Sequence, residues 1–440
     1  MNIRIQRACE PDSLRNELGS GSTGSMPAGF PFAVSSNGEI IEPILGFLSE
    51  HFLSRTTGRL TGSSVASAVS AAYELADYWR YLARSNKRWD EVEVSDIELY
   101  RDSMYGSISP KTQVELSQAT ITHRTSTVVS FYGWANANHE HVALMTSAMT
   151  PLRGRQRATS YTSKPSGDAR QRGTIARPRA SYSDEAVHVL TIEDYRRVAN
   201  ELGPLPSDEQ RDERASRDRL IAELALQTGL RRFEVAHLTT NQILGLAPDA
   251  SAPYAVVPLR IIVTKGGRPR TVLLPSWLAI DLMSYIDNER ALAIPTRRRP
   301  HSKLRTENAL FVAHPWARQH VGHALSPAHL DHLYRKAVLN AALTRDVIKT
   351  DPFTGKQHID KAPAHVFHGL RHTFAVWTYY ARREAGDVEP WKYIQAALGH
   401  RSLDTTLNLY LRAASTFEAT VSDRLMRQMQ IMRQHTNYAA

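Results

Sequence analysis

At 440 residues, 42% of them hydrophobic, the chain can bury sizeable cores, which excludes a disordered or fibrous protein and leaves room for two domains. Lys plus Arg number 54 against 44 Asp plus Glu, and this net charge of +10 favours a polyanionic partner, nucleic acid first. The lone cysteine, Cys9, excludes an internal disulfide and a cysteine-built zinc site, and no apolar run nears the ~20 residues of a membrane span. A soluble cytoplasmic protein is the expectation.

Residues 1–40 are rich in Gly, Ser and Pro and read as a flexible leader. Helical spacing begins at Glu42. Val65, Val69, Ala72, Ala76 and Trp79 mark one buried face behind candidate caps Ser63 and Ser64. Ser95-Asp96-Ile97-Glu98 reads as a capping box, and Ile121, Val128, Phe131, Tyr132 and Ala135 as a further helical face. Residues 41–150 are therefore expected to form a helical domain. Its aromatics Trp79, Phe131 and Trp134 sit at helical spacing beside aliphatics and read as core rather than as a base-stacking platform.

Residues 151–180 hold seven arginines and one lysine against one acid, Asp168, with no periodicity. A basic linker over 151–189 that lies along phosphates is expected, with Arg153, Arg155 and Arg157 as contacts. From Leu190 to the C-terminus the pattern mixes helices with a little sheet, so the fold class is mainly α with a small β-sheet. Thr191 is placed to cap a helix. An apolar helix over Arg219–Leu230 ends at Gly229 and presents Arg231, with Glu234 three residues on. Tyr254–Thr264 and Arg270–Leu274 read as strands joined at Lys265-Gly266-Gly267, with Arg268 and Arg270 as further DNA contacts. Ser276–Ala293 is a helix, and Arg297–Arg299 with Lys303–Arg305 form a basic loop. Pro327 opens a helix to about Leu343. Thr344–Lys361 reads as an irregular insertion, a helix follows His368-Gly369, and short helices flank Leu398-Gly399-His400. The stripe Phe417, Val421, Leu425 and Met429 marks a terminal helix.

Two arginines, a lysine, histidines and a tyrosine are what phosphodiester attack needs when no metal takes part. Charge building on the non-bridging oxygens calls for fixed donors, which Arg231 and Arg371 supply with planar, permanently charged forks. Tyr410 would be the nucleophile. The ordered boxes TGLRRFEV at Arg231, VTKGGRPR at Lys265, HGLRH at His368–His372 and LGHRSLDTTLNLY ending at Tyr410 resemble those of the tyrosine site-specific recombinase, or phage integrase, family. The resemblance covers 190–412, and 41–150 is similar to the family's core-binding domain. The Thr-Gly-Leu-Arg register favours Arg231 over Arg232, and the segment Leu246–Pro253 looks like a lengthened loop.

That resemblance implies a site-specific recombinase in which Tyr410 attacks to form a 3′-phosphotyrosyl link. Arg231, Arg371 and His400 would hold the phosphate, Lys265 would protonate the leaving oxygen, and His368 would accept a proton. Glu234 would support Arg231, and His372 completes an H-x-x-R-H pattern. It further implies no cofactor and no metal. The partner would be double-stranded DNA with specific recombination sites, bound by four protomers on two duplexes, at the nucleoid and away from any membrane. Integration or excision of a mobile element is the expected outcome. The alternatives are relaxation of DNA in the manner of a type IB topoisomerase, a DNA-binding relative that does not cut, and a metal nuclease built on His368, His372 and His400. The nuclease reading lacks a paired carboxylate box.

Overall fold

The computed structural model describes residues 3–8, 26–53, 65–138, 189–208, 212–264, 268–294, 308–317 and 320–400, which fall into two compact units. One lies within residues 1–183 with 348–358, the other within 184–347 with 359–440.

Apolar periodicity builds the first unit. Helices α1 (Glu42–Phe52), α2 (Val65–Arg84), α3 (Val94–Ser103) and α4 (Gln118–Asn138) bury one face each. Ala72, Ala76 and Trp79 of α2 and all five expected residues of α4 enter one core, where Phe131 is fully buried and meets Trp79 edge to face with centroids 5.0 Å apart. The aromatics are thus core, as their spacing implied. The buried Tyr132 hydroxyl donates to the Trp89 carbonyl at 2.9 Å, which satisfies a polar tip in an apolar setting.

Two expectations fail in this unit. Residues 3–8 and 26–41 are not a loose leader: β1 (Arg4–Arg7) pairs antiparallel with β2 (Pro31–Val34), because Ile3, Phe30, Ala33 and Ile41 have a core to enter. Composition hid these few apolar residues among Gly and Ser. The cap of α3 also sits two residues earlier than read. The Glu93 backbone N–H donates to Asp96 Oδ2 at 2.9 Å, and Lys87 Nζ holds the same carboxylate at 2.6 and 2.7 Å.

The second unit wraps helix α6 (Arg217–Thr228), whose Leu220, Ile221, Ala222, Leu224 and Ala225 are all fully buried. A helix buried nearly all round belongs at a core's centre. Around it stand α5 (Ile192–Leu202), α7 (Arg232–Ala236), α8 (Thr240–Leu244), α9 (Ser276–Tyr285), α10 (Ala291–Ala293), α11 (Pro327–Asn340), α12 (Phe367–Glu384) and α13 (Pro390–Leu398). A π-turn over Ile286–Arg290 links α9 to α10, so the helix read over Ser276–Ala293 is interrupted but not ended. Thr191 caps α5 by accepting from the Asp194 N–H, as read, and Ser326 caps α11, with Pro327 at its first position, by accepting from the His329 N–H.

Strands β3 (Val256–Ile261) and β4 (Arg270–Pro275) form an antiparallel hairpin in which Leu259 faces Val272 and Ile261 faces Arg270. Val272 and Leu274 point into the core, and Arg270 shares their side of the strand by period two. The stretch read as irregular, Thr344–Lys361, is instead a second hairpin of β5 (Thr344–Thr350) and β6 (Gln357–Pro363). Its end is ordered by Asp351, whose side chain accepts from the Phe353 and Thr354 N–H groups, and by Gly355 at φ +68°. Asp and Gly there were turn chemistry, not irregularity. Among the described residues no helix is long and apolar enough to cross a membrane.

Candidate active site

Two helix ends converge to make the site. Helix α6 stops at Gly229, whose left-handed φ of +65° turns the chain out so that Arg231 caps α7. A Cβ at Gly229 would lie 2.4 Å from Phe374 Cδ1 and 2.8 Å from Leu398 Cδ2, so α6, α12 and α13 close on a position only glycine fits. Helix α13 ends the same way at Gly399, φ +65°, and delivers His400. The carbonyls left unpaired at both ends carry the negative pole of their helices, and arginines take them.

Arg371, on α12 and 2% exposed, donates from Nη1 to Gly229 O at 2.6 Å and from Nη2 to Leu398 O at 2.7 Å. Its Nη2 also lies 3.0 Å from His400 Nε2. A guanidinium only donates, so Nε2 accepts and a neutral His400 carries its proton on Nδ1. Arg231 is looser. Its Nη1 reaches Leu398 O at 3.4 Å and Glu234 Oε1 at 3.3 Å, and its side chain is 28% exposed. Glu234, wholly buried, accepts from the Arg231 backbone N–H at 2.8 Å, so the two residues support each other across the first turn of α7.

Burial pushes Arg371 down to about 9, with the neighbouring charge of Arg231 acting the same way, and it stays charged at neutral pH. Burial, then the charges of Arg371, Arg231 and Arg270, pushes His400 down to about 4. His372 is held at about 4 by burial and by His368 and Arg371. His368, exposed in the first turn of α12, stands edge-on to the His372 ring with centroids 4.7 Å apart.

The third arginine was missed by sequence reasoning. Arg270, expected among the DNA contacts, turns inward: Nη1 and Nη2 grip both Glu234 oxygens at 2.6 and 2.7 Å, and Nε donates to Ala397 O at 2.7 Å. The fork that would have met a phosphate is spent on a carboxylate. The Arg-x-Val-x-Leu alternation of β4 was the signal for this inward direction. Arg268 lies just before β4, where its backbone N–H donates to Thr264 Oγ1 at 2.9 Å. The site thus brings together Arg231, Glu234, Arg371 and His400. Lys265, Tyr410, Arg153, Arg155 and Arg157 lie outside the described residues, as does the terminal helix.

Three guanidinium groups around one carboxylate leave two positive charges in surplus, lodged in a helical domain with a small β-hairpin. That fold and site define the catalytic domain of a tyrosine recombinase, an enzyme class that breaks and rejoins DNA. Residues 200–416 match the model of the phage integrase family, and this stretch of the chain belongs to that family. Its fold is similar to that of XerH site-specific recombinase bound to palindromic difH substrate in a post-cleavage complex. That likeness has 18% identity and TM-score 0.51, over 82% of this chain and 80% of that one. The Tn1549 transposon integrase with circular intermediate DNA is 15% identical over 85% of this chain and 98% of its own, TM-score 0.47. A lambda integrase dimer on a COC′ core site is 14% identical over 84% and 95%, TM-score 0.48. No curated protein matches the chain closely enough to count as a relative.

Proposed function

We propose that the chain is a site-specific DNA recombinase that cuts and rejoins strands through a 3′-phosphotyrosyl intermediate, in the service of a mobile element. The observation that carries this is the grouping of Arg231, Arg371 and His400 at the C-terminal end of α13 with a surplus of positive charge. Arg371 uses three of its five N–H groups on the helix ends and His400, and Arg231 commits only Nη1 among the described residues. The donors left over suit a phosphate whose non-bridging oxygens gain charge as the tyrosine attacks. Arg371 is then the rigid member and Arg231 the adjustable one.

In the reaction the Tyr410 oxygen bonds to phosphorus as the bond to the 5′ oxygen breaks. The tyrosine proton passes to His368, and Lys265 gives one to the leaving oxygen. Rejoining is the reverse with a 5′-hydroxyl from another strand, so neither a nucleotide nor a metal ion is consumed. Support for these three roles lies in the order of the four boxes. The working assembly is four protomers on two duplexes, in the cytoplasm at the nucleoid, and the DNA-bound XerH structure of similar fold fits a DNA partner.

The test uses duplexes selected by binding to the protein from a randomised pool and nicked beside the cut so that cleavage is trapped. Wild type forms a denaturation-resistant adduct in excess EDTA, whereas Tyr410→Phe binds the same DNA and forms none. Adduct from Tyr410→Phe at normal yield sinks the nucleophile. Activity lost in EDTA and restored by a divalent ion favours the nuclease reading.

A further inference from the structure

We propose that Arg270 is a positioning residue for strand cleavage, which holds Glu234 so that Arg231 stays available to the scissile phosphate. This rests on the recombinase reading above. Glu234 is wholly buried, and a buried carboxylate demands donors. Two residues answer. Arg270 gives a two-point fork at 2.6 and 2.7 Å, while Arg231 gives one side-chain bond at 3.3 Å. Arg270 is also the more enclosed, 11% exposed against 28% for Arg231.

The division of labour follows from these distances. Because Arg270 satisfies Glu234, Arg231 is drawn toward the carboxylate only weakly and keeps its other donors outward. Without the Arg270 fork the buried carboxylate turns to the next guanidinium, and Arg231 is pulled off the phosphate. Arg270 is itself fixed at a third point, the bond from Nε to Ala397 O in the last turn of α13. Its Cδ lies 3.1 Å from where a Cβ of Gly399 would stand, so its stem runs under the residue preceding His400. One side chain therefore registers β4, α7 and α13 against each other. A lysine cannot do this, since an ammonium has no planar fork.

The experiment compares wild type, Arg270→Gln and Arg270→Lys in single-turnover cleavage of the same nicked duplexes. The scissile group is either the phosphate or a neutral methylphosphonate, which needs less charge neutralisation. We expect both variants to hold DNA in gel shift as wild type does and to cleave the phosphate about 100-fold more slowly, the scale of a small misplacement in the site. On the methylphosphonate their deficit should shrink, because the misplaced Arg231 charge matters less there. Where Arg270→Gln fails to fold, Arg270→Lys decides.

Full-rate cleavage by a folded variant overturns the assignment. So does an equal deficit on both substrates, which marks a merely structural residue, or a deficit that follows lost binding, which marks a DNA contact. If wild type itself forms no adduct, the recombinase reading falls and this one with it; if wild type cleaves and Tyr410→Phe does not, that reading stands whatever Arg270 does.

Discussion

His400 and His372 show how single side chains report the site's electrostatics. Both are held neutral in the folded chain down to about pH 4, while an imidazole in the unfolded chain takes its proton near pH 6.5. Between those values the unfolded state binds more protons, so these groups cost stability as pH falls from about 6.5 toward 4 and no more below it. His372→Gln should flatten that part of the acid dependence. Urea midpoints for wild type and variant at pH 7.5 and pH 5 check this: the gap between them narrows or reverses at pH 5, and a gap independent of pH sinks the assignment. At this scale the sequence was informative where chemistry is local. His368, Arg371 and His400 announce themselves by spacing. What spacing cannot carry is a partner far along the chain, so Glu234 was read with Arg231 three residues away and not with Arg270, to which it bonds more closely.

Helix ends are the elements that build this site, and three glycines with left-handed backbones separate strain from crowding. Gly229, Gly399 and Gly386 all have positive φ. A Cβ at Gly386 meets nothing within 4 Å, one at Gly399 meets Arg270 at 3.1 Å, and one at Gly229 drives into Phe374 at 2.4 Å. Gly386→Ala should therefore cost only the backbone term, about 1 kcal/mol. Gly229→Ala adds overpacking of about 1–3 kcal/mol and should be the most destabilising of the three, with Gly399→Ala between them. Denaturant melts rank the variants, and Gly229→Ala no worse than Gly386→Ala would mean that α6 and α12 yield at little cost. The C-cap at Gly229 was legible because an apolar helix, a glycine and a polar turn follow in order. The hairpin of β5 and β6 was not, since its strands mix Arg, Asp and Lys with the few β-branched residues and only its Asp351 turn gives it away. The β1–β2 pair was obscured in the same way by the Gly- and Ser-rich stretch between its strands.

For the molecule as a whole, what matters is where the net charge of +10 is placed. At the candidate site two positive charges stand in surplus, and Arg270, spent on Glu234, shows that an arginine near that site is not thereby a DNA contact. The stretch 151–180 is different in kind: its sequence sets seven arginines and one lysine against a single acid and shows no apolar periodicity. If this stretch lies on DNA, it reads no bases. Each phosphate it neutralises releases counterions, whatever the sequence beneath. Replacing Arg153, Arg155 and Arg157 together with Gln should then weaken selected and random duplexes by the same factor. It should also flatten the plot of log affinity against log salt by up to about one unit per lost contact. Titrations of both duplexes at several salt concentrations measure the two effects at once. A slope equal to wild type would make the stretch a tether that never touches DNA, and weakening confined to the selected duplex would make it a reader of sequence.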